Sequence, residues 1–334
     1  MSNPNSDASR REFLKHVSAG AALASTGLIP SVATAEQAAK ATPESLVETL
    51  FKSLNEKQHK DVCFDWDHKD KRRGLLRTRT ANNWMITKHG VTEDFYTADQ
   101  QEMIRAIFQG IISPEWHKKY DQQLDDDCGG WGDQSIAIFG EPGEGKFELV
   151  LTGRHVTLRC DGDSADHVAF GGPIFYGHAP EEDETEEHDG NVFWEQAVAA
   201  NKVYEMLDGK QRKMAQVAKT PPENRVSFRD REKFAGMPIT EMSSDQKEQV
   251  QKTLQTMFGM FRHADQAEAL KCLKTQGGID ACNLAFYTDH DIGKDEVWDN
   301  WRIEGPSFVW HFRGSPHVHV WVYLADDSSV KLNA

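Results

Sequence analysis

Phe147-Glu148-Leu149-Val150-Leu151-Thr152-Gly153-Arg154-His155-Val156 and Trp301-Arg302-Ile303-Glu304-Gly305-Pro306-Ser307-Phe308 decide how this chain is read. Each is an apolar, strand-prone run that breaks at a glycine and resumes, the pattern of two strands joined at a glycine-centred turn. Gly305 lies 152 positions after Gly153. Ahead of each pair stands another apolar strand, Ile136-Ala137-Ile138-Phe139 after Gly129-Gly130 and Leu284-Ala285-Phe286-Tyr287 after Gly277-Gly278.

The match continues upstream. Leu46, Val47, Leu50, Phe51 and Leu54 recur at helical spacing and run into Lys57-Gln58-His59-Lys60. Ala199, Ala200, Val203, Tyr204 and Leu207 do the same and run into Lys210-Gln211-Arg212-Lys213. Both read as one amphipathic helix with a polar tail. Thr97-x-x-Gln100 and Ser243-x-x-Gln246 are capping boxes, in which hydroxyl and amide satisfy each other's free backbone N–H groups. The helices they open carry Met103, Ile104, Ile107, Phe108 and Ile111 in one case, and Val250, Leu254, Met257, Phe258 and Phe261 in the other. The order predicts an α+β fold of two related helix-plus-antiparallel-strand units, residues 43–180 and 190–325, packed as one pseudo-twofold body. The acidic run 181–189 and Gly190 form the connector; the run lacks the ligand spacing of a calcium loop and reads as solvated.

Near the start, Ser9-Arg10-Arg11-Glu12-Phe13-Leu14-Lys15 matches the twin-arginine export signal S-R-R-x-F-L-K at every specified position. A small, apolar stretch follows, then Ala33-Thr34-Ala35 as a small-x-small cleavage site, so residues 1–35 read as a signal peptide. The apolar stretch is shorter than the ~20 residues a membrane helix needs. The expected mature chain, residues 36–334, is periplasmic or extracellular, with the twin-arginine translocation machinery as partner and no membrane association after cleavage. The signal carries Arg10, Arg11 and Lys15 against Asp7 and Glu12, so its removal takes the formal charge from -15 to -16. So acidic a surface argues against nucleic acid. The five cysteines, Cys63, Cys128, Cys160, Cys272 and Cys282, form no C-x-x-C pair and are expected to be buried or disulfide-bonded.

His317-Val318-His319 opens a strongly β-prone segment. Alternation puts both imidazoles on one face with Cα atoms ~6.5–7 Å apart, close enough to converge on one metal ion. With 14 histidines in 334 residues, chance supplies about 0.6 such pairs, so the spacing needs support. His155, just after Gly153, provides it if the two sheets meet; His178, in Tyr176-Gly177-His178-Ala179-Pro180, is the candidate fourth ligand. Three imidazoles with an open position suit zinc-assisted hydrolysis, and with copper or iron they suit oxygen chemistry. Glu148 and Glu304 are the carboxylates nearest in sequence to serve as base or outer partner, although their alternation with apolar neighbours predicts solvent-facing positions.

Gly140-Glu141-Pro142-Gly143-Glu144-Gly145-Lys146 has the spacing of a phosphate-binding loop, but Phe147 stands where Ser or Thr would hold magnesium, and strands flank it. It reads as a hairpin turn, and no nucleotide cofactor is expected. There is no G-x-S-x-G elbow and no H-E-x-x-H pair.

Ala137-Ile138-Phe139-Gly140-Glu141-Pro142, Leu151-Thr152-Gly153-Arg154-His155, Pro173-Ile174-Phe175-Tyr176-Gly177-His178-Ala179-Pro180 and the late Gly305-Pro306 strand followed by His317-x-His319 resemble the bacterial "domain of unknown function 3500" family. The resemblance covers most of the mature chain as a single family domain, implies export, and makes the histidine cluster a family feature without naming a reaction. Arg154 stands where the family tends to show the first His of E-G-H-H. The H-x-H-x-x-W-R ending is shortened here to His317-Val318-His319-Val320-Trp321-Val322, and His178 is a candidate replacement for the lost ligand. The expectation is a divalent transition metal, copper, iron or zinc, held by His155, His178, His317 and His319. The function expected is a metal-dependent enzyme, redox before hydrolytic, acting on a small molecule. The alternative is a non-catalytic periplasmic protein that binds metal or ligand.

Overall fold

The computed structural model describes residues 41–127, 129–178, 190–295, 297–330 and 332. The signal motif, its cleavage site, Cys128 and the acidic run 181–189 lie outside the described residues. In the first half, α1 (Pro43–Ser53), α2 (Glu56–Val62) and β1 (Cys63–Phe64) are followed by the small hairpin β2 (Lys69–Asp70) and β3 (Gly74–Leu75). Then come α3 (Ala98–Ile111), α4 (His117–Asp126), β4 (Ser135–Gly140), β5 (Phe147–Gly153), β6 (Val156–Cys160) and β7 (Ile174–His178). The second half runs α5 (Trp194–Glu205), α6 (Gly209–Ala215), β8 (Gln216–Val217), β9 (Met237–Pro238), α7 (Ser244–Phe258) and α8 (His263–Thr275). It closes with β10 (Asn283–Tyr287), β11 (Asn300–Gly305), β12 (Phe308–Arg313) and β13 (Val318–Leu324). The fold is α+β.

Each Lys-Gln-x-Lys segment is a separate helix rather than a tail. The chain breaks at Asn55 and at Asp208, whose side chains cap α2 and α6 in capping boxes closed by Gln58 and Gln211. Thr97 and Ser243 cap α3 and α7 as their spacing predicts, with Gln100 and Gln246 as the reciprocal partners. The capping glutamines then meet in pairs. Gln58 Nε2 donates to Gln100 Oε1 at 2.7 Å, and Gln211 Nε2 donates to Gln246 Oε1 at 2.9 Å. Each half thus ties its two helix starts together through amides that are themselves caps. A further helix, α4 or α8, intervenes before each Gly-Gly pair, whose four glycines all adopt left-handed φ.

Apart from the β2–β3 hairpin, the strands form one sheet in the order β1-β4-β5-β6-β7-β13-β12-β11-β10-β8, with β9 beside β10. Read from either edge, the path is a short parallel strand and then a four-stranded antiparallel meander. The meanders join at the centre, where β7 pairs antiparallel with β13. The helices cover one face, with α1 against α3 and α5 against α7, and bury Ile104, Ile107, Phe108, Val250, Leu254 and Met257 against it. Connecting segments cover the opposite face. Leu76, Trp84 and Ile86 pack on Ala137, Phe139 and Val150 there, and Val226 packs with Phe175, Val309, Trp321 and Tyr323.

That second cover overturns the solvent-facing positions expected of Glu148 and Glu304. They are 0 % and 1 % exposed and are held by arginines. Arg77 Nη1 donates to Glu148 Oε2 (2.6 Å) and Arg159 Nη1 to Oε1 (2.7 Å); Arg229 Nε donates to Glu304 Oε2 (2.7 Å). Alternation places them on the face away from the helices, and the connections bury that face too. Residues 140–146 form the β4–β5 hairpin turn, closed by the Gly140↔Phe147 pair. The four described cysteines are free thiols, three of them buried.

Candidate metal centre

The centre is assembled where the two meanders meet. β5 and β6 are joined by the two-residue turn Arg154-His155, closed by the Gly153↔Val156 pair. His155 takes φ +54° there, a left-handed backbone that costs a non-glycine residue about 1–3 kcal/mol unless its surroundings enforce it. They do so here: His155 N–H donates to Asn82 O (3.0 Å), Arg154 bridges to Asn83, and the imidazole is buried.

Val156 pairs with Tyr176 and His319 pairs with Gly177, so His155 and His319 flank Gly177 from neighbouring strands. A side chain on Gly177 would collide with Val318 O and stand 3.2 Å from His155 Cδ2. Glycine here lets the His155 ring and the β13 backbone close on β7. His317, immediately before β13, shares the face of His319 by alternation. Nε2 of His319 lies 2.9 Å from Nε2 of His155 and 2.9 Å from Nε2 of His317, and the three ligand atoms lie within 4.8 Å of one another. His155 and His319 are buried, whereas His317 is half-exposed and opens the centre to solvent.

Carboxylates orient two of the rings. His155 Nδ1 donates to Asp127 Oδ2, and His319 Nδ1 donates to Glu223 Oε1 at 2.5 Å. Each carboxylate also carries an arginine: Arg154 Nε is 3.0 Å from Asp127 Oδ1, and Arg313 Nη1 is 2.9 Å from Glu223 Oε1. Burial opposes ionisation of Glu223, but the bond from His319 and the charges of His319 and Arg313 outweigh it and hold its pKa down. Burial pushes His317 down to about 3, helped by the charges of His319, Arg313 and His155. Burial pushes His319 down to about 4; Glu223 opposes this, and Arg313 and His155 assist it. At neutral pH His317 and His319 are neutral. A neutral ring that donates through Nδ1, as His319 does to Glu223, presents an unprotonated Nε2, the donor transition metals take from histidine.

Of the four histidines singled out in the sequence, the structure brings three together. His178 is paired with Val318, which packs into the helix-side core. Directly paired residues share a face, so His178 sits on the side of the sheet away from His317 and His319 and does not join them. Arg154 reaches the outer carboxylate instead of the Nε2 cluster. Glu148 and Glu304 belong to arginine pairs and not to the centre. The carboxylates that do belong, Asp127 and Glu223, carry no periodic signal. Asp127 ends the acidic run that closes α4, and Glu223 follows Pro221-Pro222 in the connection after β8.

Compared with curated proteins and with solved structures, the chain has no match. The family model described as "Protein of unknown function (DUF3500)" matches residues 35–323, a span that includes all three clustered histidines and both outer carboxylates, and the chain belongs to that family.

Proposed function

We propose that His155, His317 and His319 bind one divalent transition-metal ion, copper, iron or zinc, in an exported protein, and that the centre is enzymatic, redox before hydrolytic. The observation that carries this reading is the convergence of three imidazoles: Nε2 of His319 lies 2.9 Å from Nε2 of both His155 and His317, while carboxylates hold the Nδ1 sides of His155 and His319 and leave their Nε2 atoms facing inward, the outer arrangement that metal-ligating histidines use. Three protein ligands leave room for an exogenous one, and half-exposed His317 marks its side of entry.

Asp127 and Glu223 are both spent on orienting imidazoles, each under an arginine, so hydrolysis would rest on metal-bound hydroxide alone, with no carboxylate of the centre left as a general base. This favours redox chemistry, and equally the second reading, a periplasmic protein that binds metal without turnover. Export through the twin-arginine route, which carries folded proteins, agrees with reduced, buried thiols and a cofactor acquired before crossing. Descent of the two halves from one duplicated unit belongs to the same reading and is supported by the matched glutamine pairs and strand order.

The test is elemental analysis of the mature protein purified from the periplasm without a histidine tag, beside the His317→Ala/His319→Ala variant. Near-stoichiometric copper, iron or zinc, lost in the variant, is the expected result. Equal metal content in the two proteins, or none in either, removes the centre.

A further inference from the structure

The balance of charge around the three histidines bears on what the open side of the centre takes. An imidazole that coordinates through one nitrogen and keeps its proton on the other brings no charge to an ion. Asp127 and Glu223 each bring one negative charge, and each is met by an arginine. Arg154 Nε lies 3.0 Å from Asp127 Oδ1, and Arg313 Nη1 lies 2.9 Å from Glu223 Oε1. The two acids and the two bases cancel. A divalent ion among the three rings keeps both of its charges uncompensated, in a place where His155 and His319 are buried and water screens weakly.

The neighbouring strands add to that charge instead of offsetting it. Arg313 pairs directly with His319, so its side chain shares the face of the imidazoles. Its Nε donates to His317 O at 3.3 Å, and Nη2, on the same edge of the guanidinium, has no hydrogen-bond partner among the described residues. A guanidinium with one nitrogen unspent thus stands beside half-exposed His317. On the same face, buried Arg302 and Arg229 share the single carboxylate of Glu304, at 3.7 Å from Arg302 Nη1 and 2.7 Å from Arg229 Nε. Among these residues three arginines, Arg229, Arg302 and Arg313, stand against Glu223 and Glu304. This is a locally cationic stretch in a chain whose formal charge is -15.

We infer that the exogenous ligand of the centre is a small anion, a carboxylate or another oxyanion, drawn in on the side of His317 and held by the ion together with the charges of Arg154 and Arg313. This inference rests on the reading of the three histidines as a metal centre and names the class of molecule that the centre takes. The two arginines have a double part. They pair with the carboxylates that orient His155 and His319, and by cancelling those carboxylates they leave the charge of the ion to the incoming ligand. A neutral molecule of the same shape gains none of that attraction.

The test separates charge from shape. Metal-free mature protein is loaded with cobalt(II) as a spectroscopic probe and titrated at neutral pH and constant ionic strength with acetate and, separately, with acetamide, its neutral counterpart of nearly the same shape. Acetate is expected to shift the cobalt absorption saturably, at one site per chain, at least about tenfold more tightly than acetamide, and to bind more weakly as salt is raised. Arg154→Gln and Arg313→Gln are expected to keep the cobalt and to loosen acetate by about tenfold or more each, because each removes a positive charge beside the ion. Acetamide binding as tightly as acetate, or acetate affinity unchanged in both variants, overturns the anion inference and leaves the metal centre standing. Failure of the wild-type protein to bind cobalt stoichiometrically overturns the centre itself and the anion inference with it. If neither variant folds, the wild-type comparison and its salt dependence decide.

Discussion

At the residue scale, the outer carboxylates govern the centre more than any feature of the histidines themselves. Asp127 is almost wholly buried, and its one bond to His155 Nδ1 decides which nitrogen of that ring faces the other two. Asp127→Asn keeps the shape but lets the ring present either nitrogen, and a loss of about 10–100-fold in metal affinity is expected, measured by chelator competition with circular dichroism unchanged. A second group of acids, remote from the centre, makes a different prediction. Burial pushes Asp161 up to about 7, with the charge of Glu148 adding, and burial pushes Glu268 up to about 7, with Asp161 among the charges that add. Each binds its proton more tightly folded than unfolded, so the stability each allows is greatest at low pH and is lost as pH rises from about 4 to about 7. The imidazoles of His311, His317 and His319, whose folded pKa values are lowered, act in the opposite sense and cost stability as pH falls below about 6.5. The informative quantity is thus a difference. Asp161→Asn should raise Tm by about 2–4 °C at pH 8 and leave it unchanged near pH 4, and a pH-independent effect in thermal melts would contradict the buried-acid account.

At the element scale, the strand with a missing side chain matters most. Gly177 pairs with His319 and lies under the ring of His155, and nothing about its φ requires glycine; the requirement is the close approach of imidazole and backbone. Gly177→Ala should therefore spread His155 from His319 and weaken metal binding at least tenfold, while costing about 1–3 kcal/mol for the overpacking, read from parallel titration and melting experiments. The capped helices were readable in advance because a capping box is a local exchange of hydrogen bonds. Their pairing through Gln58–Gln100 and Gln211–Gln246 was not, because each bond spans more than thirty residues and no spacing rule reaches that far. The breaks at Asn55 and Asp208 were written in the sequence as capping boxes too, but the helical periodicity that runs through them masked the stop.

At the scale of the whole molecule, a sheet covered on both faces accompanies the burial of nearly every residue of its longer strands and of three of the four described thiols. Burial pushes Cys63, Cys272 and Cys282 up to about 12 and Cys160 well above its usual value. Thiols held protonated react slowly with oxidants and disulfides. In the native protein these four cysteines should resist Ellman's reagent for hours and react within minutes in guanidinium, with half-exposed Cys63 the first to react; rapid native labelling of all four would contradict the packing.

What the sequence determined by itself was local or periodic. It set the capping boxes, the strand-forming runs, the glycine-centred turns with their order repeated, and the two-residue spacing that aligns His317 with His319. Each is encoded within about ten residues by backbone sterics, hydrogen-bond exchange or alternation. What only the tertiary structure decided was non-local. The β7–β13 pairing brings His155 to His319 and turns His178 to the opposite face. The connections over the second face bury Glu148 and Glu304, and chain segments far from the histidines deliver Asp127 and Glu223. These depend on which strand pairs with which and on what covers the far side of the sheet, and such choices are made by the summed burial of many side chains, for which no single residue carries a signal.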